Sequence, residues 1–78
     1  MTNLEKYKKA FTEILKVSND KLAGFKYQDI PQWDSVGHMA LVVAVEEAFD
    51  ILFDTDDIIE LSSFEKGKEI LKKYNVEF

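Results

Sequence analysis

The residues of this chain that could take part in chemistry lie around one serine. Ser35 follows Asp34 and lies three positions before His38, the only histidine of the sequence. The chain has no cysteine, so it offers no thiolate nucleophile and no thiolate metal site. A serine and a histidine three positions apart on a helix are too constrained to act as a nucleophile and a base that a third group orients. We therefore expect a protein that is not an enzyme.

Ser35 also lies where a helix is predicted to begin. Asp34 and Ser35 are both good N-cap residues, and capping is the simplest interpretation of the serine. A hydroxyl at this position is in addition well placed to bear a phosphodiester, because the free N–H groups and the dipole of a helix N-terminus stabilise an anion. The residues alone leave both roles open.

A second cluster of acidic residues suggests calcium binding at first sight. Asp54, Asp56 and Glu65 occupy positions 1, 3 and 12 of a loop of the EF-hand type. Positions 5 and 6 of that loop hold Ile58 and Ile59, where a ligand and a glycine are required. We therefore expect no metal site here.

The composition restricts the classes of protein to which the chain can belong. Its 78 residues suffice for one domain, taken as residues 1–78, and the 46% hydrophobic content is enough for a folded core. The net charge is −5 and there is no arginine, so nucleic acid is not an expected partner. No stretch approaches the roughly 20 apolar residues of a membrane span, and the first residues do not resemble a secretory signal. We expect a monomer in the cytoplasm, since a cysteine-free chain suits a reducing compartment.

The charges are segregated along the sequence. Residues 27–64 contain no lysine and nine acidic side chains, which gives this stretch a net charge of −9. Residues 1–26 carry +3 and residues 65–78 carry +1. Self-repulsion in such an acidic block costs stability, so the block is either a solvated face or a surface that meets a basic partner.

Helical periodicity accounts for most of the chain. The connection over residues 18–33 is long, and its scattered apolar residues predict that it packs against the helices. The sequence therefore predicts an all-α fold of three main helices and one short helix, with a long first loop. The predicted elements are a first helix over residues 3–17 opened by a capping box at Thr2–Glu5, a second helix from Asp34 or Ser35 to Asp50, a short third helix capped by Thr55, and a fourth helix from a capping box at Ser62–Glu65 to Tyr74.

The second predicted helix is apolar on two sides. One stripe faces the expected core, with His38 at its edge, and consists of Leu41, Val42, Val45 and Phe49. A second apolar line runs beside two carboxylates and consists of Val36, Met39 and Val43, with Glu46 and Glu47. This second line is either ordinary core or a face that binds a partner. A methionine favours the partner-binding interpretation, because its flexible thioether adapts to more than one surface.

The sequence around the serine resembles the acyl carrier proteins and the related peptidyl carriers. The family has an Asp-Ser-Leu-type motif at the start of its second helix, and Asp34-Ser35-Val36 matches it with valine in place of leucine. The likeness continues through residues 41–50, the short acidic helix near Asp56-Asp57 and the last helix, so it covers the whole chain. Gly37 and Ala40 stand where fatty-acid carriers usually have acidic residues.

The resemblance implies a four-helix bundle and a carrier that performs no chemistry itself. Ser35 would hold 4′-phosphopantetheine, donated from coenzyme A by a magnesium-dependent phosphopantetheinyl transferase, and Asp34 would help to position the reacting groups. The thiol of that arm would hold an acyl or aminoacyl group as a thioester. The expected partners are this transferase and acyl- or aminoacyl-handling enzymes with basic docking surfaces. They would bind Val36, Met39, Val43, Glu46, Glu47, Asp56 and Asp57, with Glu60 extending the surface.

Two alternatives to this interpretation remain at the level of the sequence. The Trp-Asp-Ser-Val-Gly-His-Met string at positions 33–39 is more similar to discrete carriers of specialised bacterial pathways than to fatty-acid carriers. A specialised biosynthetic carrier is therefore the favoured expectation, and a carrier of fatty-acid synthesis is the first alternative. The second alternative is a helical adaptor of the same fold whose serine is never modified.

Overall fold

Four α-helices and no β-strand make up the fold in a computed structural model that describes residues 1–78. The longest two helices, α1 and α2, pack against each other, and α3 packs against α4. The all-α class predicted from the sequence is therefore confirmed, as a small helical bundle. The helices are α1 (Asn3–Leu15), α2 (Ser35–Phe49), α3 (Thr55–Glu60) and α4 (Phe64–Lys72), and a single 3-10 turn (Asn19–Lys21) follows α1.

Helix α1 begins as predicted and ends two residues early. The Thr2 hydroxyl accepts a hydrogen bond from the Glu5 N–H, and the Glu5 carboxylate accepts one from the Thr2 N–H, which completes the predicted capping box. The helix ends at Leu15 because Lys16 adopts the left-handed conformation, with φ of 59°. The prediction of a helix to residue 17 was therefore too long.

The caps of the two short helices differ from the prediction. Thr55 is the first residue of α3 rather than its cap, and the N-cap residue, Asp54, makes no capping hydrogen bond with its side chain. In α4 the cap is Ser63 and not Ser62, since the Ser63 hydroxyl accepts a hydrogen bond from the Lys66 N–H at 2.9 Å. The helix ends at Lys72, before Tyr74. Either of the adjacent serines, Ser62 or Ser63, could cap this helix, and capping by Ser63 is consistent with the burial of Phe64.

The connection between α1 and α2 is part of the core, as the sequence predicts. Leu22, Phe25 and Trp33 are buried. An isolated antiparallel bridge pairs Lys26 with Ser63 and fixes the connection against the start of α4. None of the helices has the length and apolar character needed to cross a bilayer.

Aromatic side chains fill the centre of the bundle. Tyr7 stacks on Phe64 with ring centroids 4.8 Å apart, and Phe11 packs edge-on against both Phe64 and Trp33. The Tyr7 hydroxyl donates a hydrogen bond of 2.7 Å to the Phe64 carbonyl, and burial raises the pKa of Tyr7 far above its usual value. This cluster joins α1, α4 and the long connection, and its Trp33 lies just before the start of α2.

Candidate functional site

Asp34, not Ser35, caps helix α2. The Asp34 Oδ1 accepts a hydrogen bond of 2.8 Å from the Gly37 N–H, and the Asp34 carbonyl accepts one of 2.7 Å from the His38 N–H. The sequence left the cap open between Asp34 and Ser35, and the structure assigns it to the aspartate. The Ser35 hydroxyl is therefore free of any capping role.

Ser35 is the exposed first residue of a 15-residue helix. Gly37 and His38 use their N–H groups on Asp34, whereas the N–H groups of Ser35 and Val36 have no acceptor within the chain. These two donors and the positive end of the helix dipole lie in the same first turn of α2 as the serine side chain. The site therefore has the hydroxyl to accept a phosphodiester and the backbone donors to stabilise its charge.

The loop before α2 approaches the helix so closely that only glycine fits at position 37. A Cβ atom on Gly37 would lie 1.9 Å from the carbonyl oxygen of Gln32, a distance that no side chain tolerates. The acidic residue that fatty-acid carriers usually have here is thus excluded by the backbone of the preceding loop. The difference from the fatty-acid carriers at this position therefore has a local steric cause.

His38 connects three parts of the molecule, which the sequence did not predict. The indole N–H of Trp33 donates to His38 Nδ1 at 3.0 Å, and His38 Nε2 lies 2.8 Å from the carbonyl oxygen of Ile58. Because Nδ1 accepts a hydrogen bond, the proton of the neutral ring lies on Nε2, which donates to Ile58. The sequence placed His38 at the edge of the core, and its half-buried position agrees with that prediction. The sequence did not predict that His38 joins the loop before α2 to helix α3.

The second apolar line of α2 is exposed. Val36 retains 79% of its accessible surface, Met39 47% and Val43 46%. The core-facing stripe lies on the other side, with Leu41 and Val42 fully buried. Of the two interpretations of the second line, ordinary core is therefore excluded, and the apolar residues form part of the molecular surface.

The acidic residues predicted beside this line have different environments. Glu47 and Asp56 are exposed. Glu46 is half-buried and accepts a hydrogen bond of 2.8 Å from the Phe53 N–H, so it fixes the loop after α2. Glu60 is also exposed, at the end of α3. The exposed carboxylates remain candidates for partner contact, and Glu46 has a structural role as well.

Asp57 faces inward and does not belong to the exposed surface. Its carboxylate is buried and accepts hydrogen bonds from the Lys73 ammonium and, at 2.6 Å, from the Tyr74 hydroxyl. The hydrogen bond from Lys73 and then that from Tyr74 lower the pKa of Asp57. The sequence grouped Asp57 with the partner-binding residues because its charge was visible and its orientation was not. We leave it out of that surface.

Two exposed apolar residues next to α2 were missed by the sequence reasoning. Leu52 is 82% exposed and lies at one side of a surface groove of about 600 Å³. Ile59 on α3 is 72% exposed. The segments that contain these two residues are too short to show a periodic pattern of apolar residues. Their exposure could therefore not be recognised from the sequence. The groove is lined by Val43, Glu46, Glu47, Asp50, Ile51 and Leu52.

The known proteins give no independent support for a family. No protein-family model, curated protein or solved structure matches this chain. The structure contains no group of three or more histidine, aspartate or glutamate side chains arranged as metal ligands. The candidate site is therefore defined by its geometry, which is an exposed serine hydroxyl at an aspartate-capped helix start, beside an apolar surface with acidic neighbours.

Proposed function

We propose that this chain is an acyl carrier protein, with 4′-phosphopantetheine attached to Ser35. The observation that carries the proposal is the exposed hydroxyl of Ser35 at the start of α2, which the Asp34 cap leaves without a structural role. The resemblance of Asp34-Ser35-Val36 to the carrier motif gives this hydroxyl a chemical purpose. When bound, the prosthetic group supplies the thiol that a cysteine-free chain lacks.

The residues around Ser35 have defined tasks in this proposal. The N–H groups of Ser35 and Val36 stabilise the phosphodiester anion at the helix N-terminus. Asp34 keeps the first turn of α2 in place through Gly37, and its carboxylate would help to position the reacting groups during loading by the magnesium-dependent transferase. The chain contributes no catalytic group, so the chemistry belongs to the partner enzymes.

The exposed side of α2 serves as the partner-binding surface in this proposal. Val36, Met39 and Val43 supply apolar contact area, and Glu47 and Asp56 attract basic partners. Such charges raise the rate of association more than the affinity. Fast and weak binding suits a carrier that must visit the transferase and several acyl- or aminoacyl-handling enzymes in turn.

We infer a specialised biosynthetic pathway rather than fatty-acid synthesis, in a monomeric cytoplasmic carrier. The inference is supported by Gly37 and Ala40, which replace two acidic positions of the fatty-acid carriers. The replacement at Gly37 is fixed by the Gln32 carbonyl, so the chain cannot acquire that charge without moving the loop.

Intact-protein mass spectrometry tests the proposal directly. The protein is incubated with coenzyme A, magnesium and a promiscuous phosphopantetheinyl transferase, and a known carrier serves as positive control. One added phosphopantetheine is expected on the wild type and on Ser18→Ala, whose exposed serine lies before the 3-10 turn. Ser35→Ala should gain nothing. A folded wild type that stays unmodified with this transferase and with those of its own source would favour the unmodified adaptor.

A further inference from the structure

We propose that Trp33, His38 and the Ile58 carbonyl close the bundle interior beside Ser35, so that the cargo of the carrier stays outside the bundle. The inference rests on the proposed carrier function and specifies its cargo as acyl or aminoacyl groups that remain at the surface and need no shelter inside the bundle. Its basis is the set of contacts between the loop, α2 and α3 within one turn of the modified serine.

The first contact is the hydrogen-bonded link between α2 and α3. His38 lies one turn after Ser35 and bonds to the Ile58 carbonyl at 2.8 Å, while the Trp33 indole N–H bonds to the other ring nitrogen at 3.0 Å. The Ile58 carbonyl belongs to the last turn of α3, where carbonyls have no partner within the helix. Separating the two helices here would leave the Ile58 carbonyl and the Nε2 of His38 without their partner, which is unfavourable.

The second contact is the packing of the indole of Trp33, two residues before Ser35. Trp33 has no exposed surface, and its ring lies 5.1 Å from the ring of Phe25 and 5.5 Å from that of Phe11 between centroids. Tyr27 packs edge-on against both Trp33 and His38 from the solvent side. Because protein interiors are packed as densely as organic crystals, an alkyl chain could enter here only by displacing the indole.

The space that remains on this side is at the surface. A groove of about 270 Å³ lies between the loop, α2 and α3, and Leu61 at its base is buried. The lining is mostly apolar, and its polar groups come from His38, Tyr27 and the exposed Ser62. An acyl group can rest against such a lining without entering the core. The lining residues are Tyr27, His38, Ile58, Ile59, Leu61 and Ser62.

The test compares carriers that differ only in the length of the cargo. Holo, acetyl and decanoyl forms are prepared by loading from the corresponding coenzyme A esters, and their masses are verified. A chain buried in the bundle would raise the melting temperature by several degrees, because burial adds stability and about 1 kcal/mol shifts a domain of this size by roughly 4–8 °C. We expect the three forms to melt within about 1 °C of each other.

Two further readouts use features unique to this chain. Trp33 is the only tryptophan, so its fluorescence reports the region beside Ser35. We expect the same emission maximum in the acetyl and decanoyl forms, and equal rates of thioester cleavage by hydroxylamine. A decanoyl form that melts higher, shifts the Trp33 emission and resists hydroxylamine would overturn the inference.

A cysteine variant separates this inference from the carrier function itself. Ser35→Cys introduces the only thiol of the chain, and methyl or decyl methanethiosulfonate then attaches a short or a long alkyl group without any transferase. Equal melting temperatures of the two adducts support closure even if Ser35 is never loaded by the transferase. A higher value for the decyl adduct would count against closure, whatever the outcome of loading.

A pair of variants tests whether His38 holds the interior closed. His38→Ala removes the link to Ile58, and Glu60→Ala changes an exposed residue of α3 that does not line the groove. A higher melting temperature of the decanoyl form over the acetyl form is expected in His38→Ala only. The same lack of dependence on chain length in both variants would contradict the role given to His38.

Discussion

Asp34 caps α2 and the neighbouring Ser35 does not, and stability measurements can distinguish the two residues. Asp34→Ala removes the acceptor of the Gly37 N–H, so we expect the free energy of unfolding to fall by about 1 kcal/mol. Ser35→Ala removes an exposed hydroxyl that caps nothing, and its effect should stay within about 0.5 kcal/mol. Urea unfolding followed by Trp33 fluorescence measures both changes.

Asp34→Asn is the matched control for this comparison. Asparagine caps helices about as well as aspartate, so this variant should retain the stability of the wild type. A loss of stability in Ser35→Ala comparable with that in Asp34→Ala would mean that the serine shares the cap, and the hydroxyl would no longer be free for modification.

Single residues also show where sequence reasoning ends. The serine, the motif and the two apolar faces of α2 could be predicted, because they depend on residue type and helical spacing alone. The choice between Asp34 and Ser35 as cap depends on the path of the chain before the helix. The bonds of His38 to Trp33 and Ile58 depend on how the loop and α3 fold back, and no spacing rule describes such a contact.

At the level of elements, the contact of α4 with α1 depends on Gly67. A Cβ atom at this position would lie 2.0 Å from the Tyr7 hydroxyl and 2.7 Å from Leu61 Cδ1. Gly67→Ala gains helix propensity of about 1 kcal/mol, but overpacking of this kind costs about 1–3 kcal/mol. We expect a net loss of stability in chemical denaturation, of about 1 kcal/mol.

Tyr7→Phe is the second single variant of a double-mutant cycle with Gly67→Ala. It removes the oxygen nearest to the added methyl group, and it also loses the hydrogen bond to the Phe64 carbonyl. The double variant should therefore be less destabilised than the sum of the two single variants. Strict additivity would show that α4 shifts away from Tyr7 when Gly67 is replaced.

The contact between α3 and the end of α4 predicts a dependence of stability on pH. Hydrogen bonds from Lys73 and Tyr74 lower the pKa of Asp57 in the folded protein. The stability contributed by Asp57 is therefore fully present above the pKa of the unfolded chain, near 3.9, and is lost as the pH falls through the lower folded value. Lys73 is more than half exposed, so solvent screens its share of this contribution.

Asp57→Asn and Asp56→Asn form a matched pair for this prediction. Asp56 is exposed and adjacent in sequence, whereas Asp57 is buried against Lys73 and Tyr74. Asp57→Asn should melt below the wild type at pH 7, and the difference should shrink below about pH 4. Asp56→Asn should follow the wild type throughout. A constant deficit of Asp57→Asn at all pH values would assign its effect to packing rather than to charge.

The elements themselves were largely predictable, and their ends were not. Four helices in the correct order follow from periodicity and capping residues. The end of α1 depends on the left-handed conformation of Lys16, a residue that carries no such preference. The position of Asp57 depends on the direction in which a helix of six residues faces, and one turn and a half is too short for a periodic pattern.

The distribution of charge concerns the whole molecule. The acidic stretch 27–64 contains α2 and α3, and the lysines are confined to the segments that contain α1 and α4. The exposed apolar residues Val36, Met39 and Val43 lie within the acidic part. A partner with a basic rim around an apolar centre would be guided to this side of the molecule before contact.

Charge reversal tests this electrostatic guidance, provided that the substituted carboxylate has no structural role. Glu47→Lys changes an exposed carboxylate of α2, so it should slow loading by the transferase roughly threefold or more at low ionic strength, with little effect on the melting temperature. Glu46→Lys should lower the melting temperature as well, because it also breaks the bond to the Phe53 N–H. Glu69→Lys, at an exposed position of α4, makes the same change of net charge elsewhere.

Initial loading rates at low and high salt separate local guidance from net charge. Salt shortens the range of electrostatic attraction, from about 10 Å at 0.1 M to about 3 Å at 1 M. The defect of Glu47→Lys should therefore shrink as salt is added, while Glu69→Lys should load at nearly the rate of the wild type in both conditions. If Glu69→Lys were slowed as much as Glu47→Lys, the transferase would respond to the total charge of the protein rather than to the acidic residues beside the apolar line of α2.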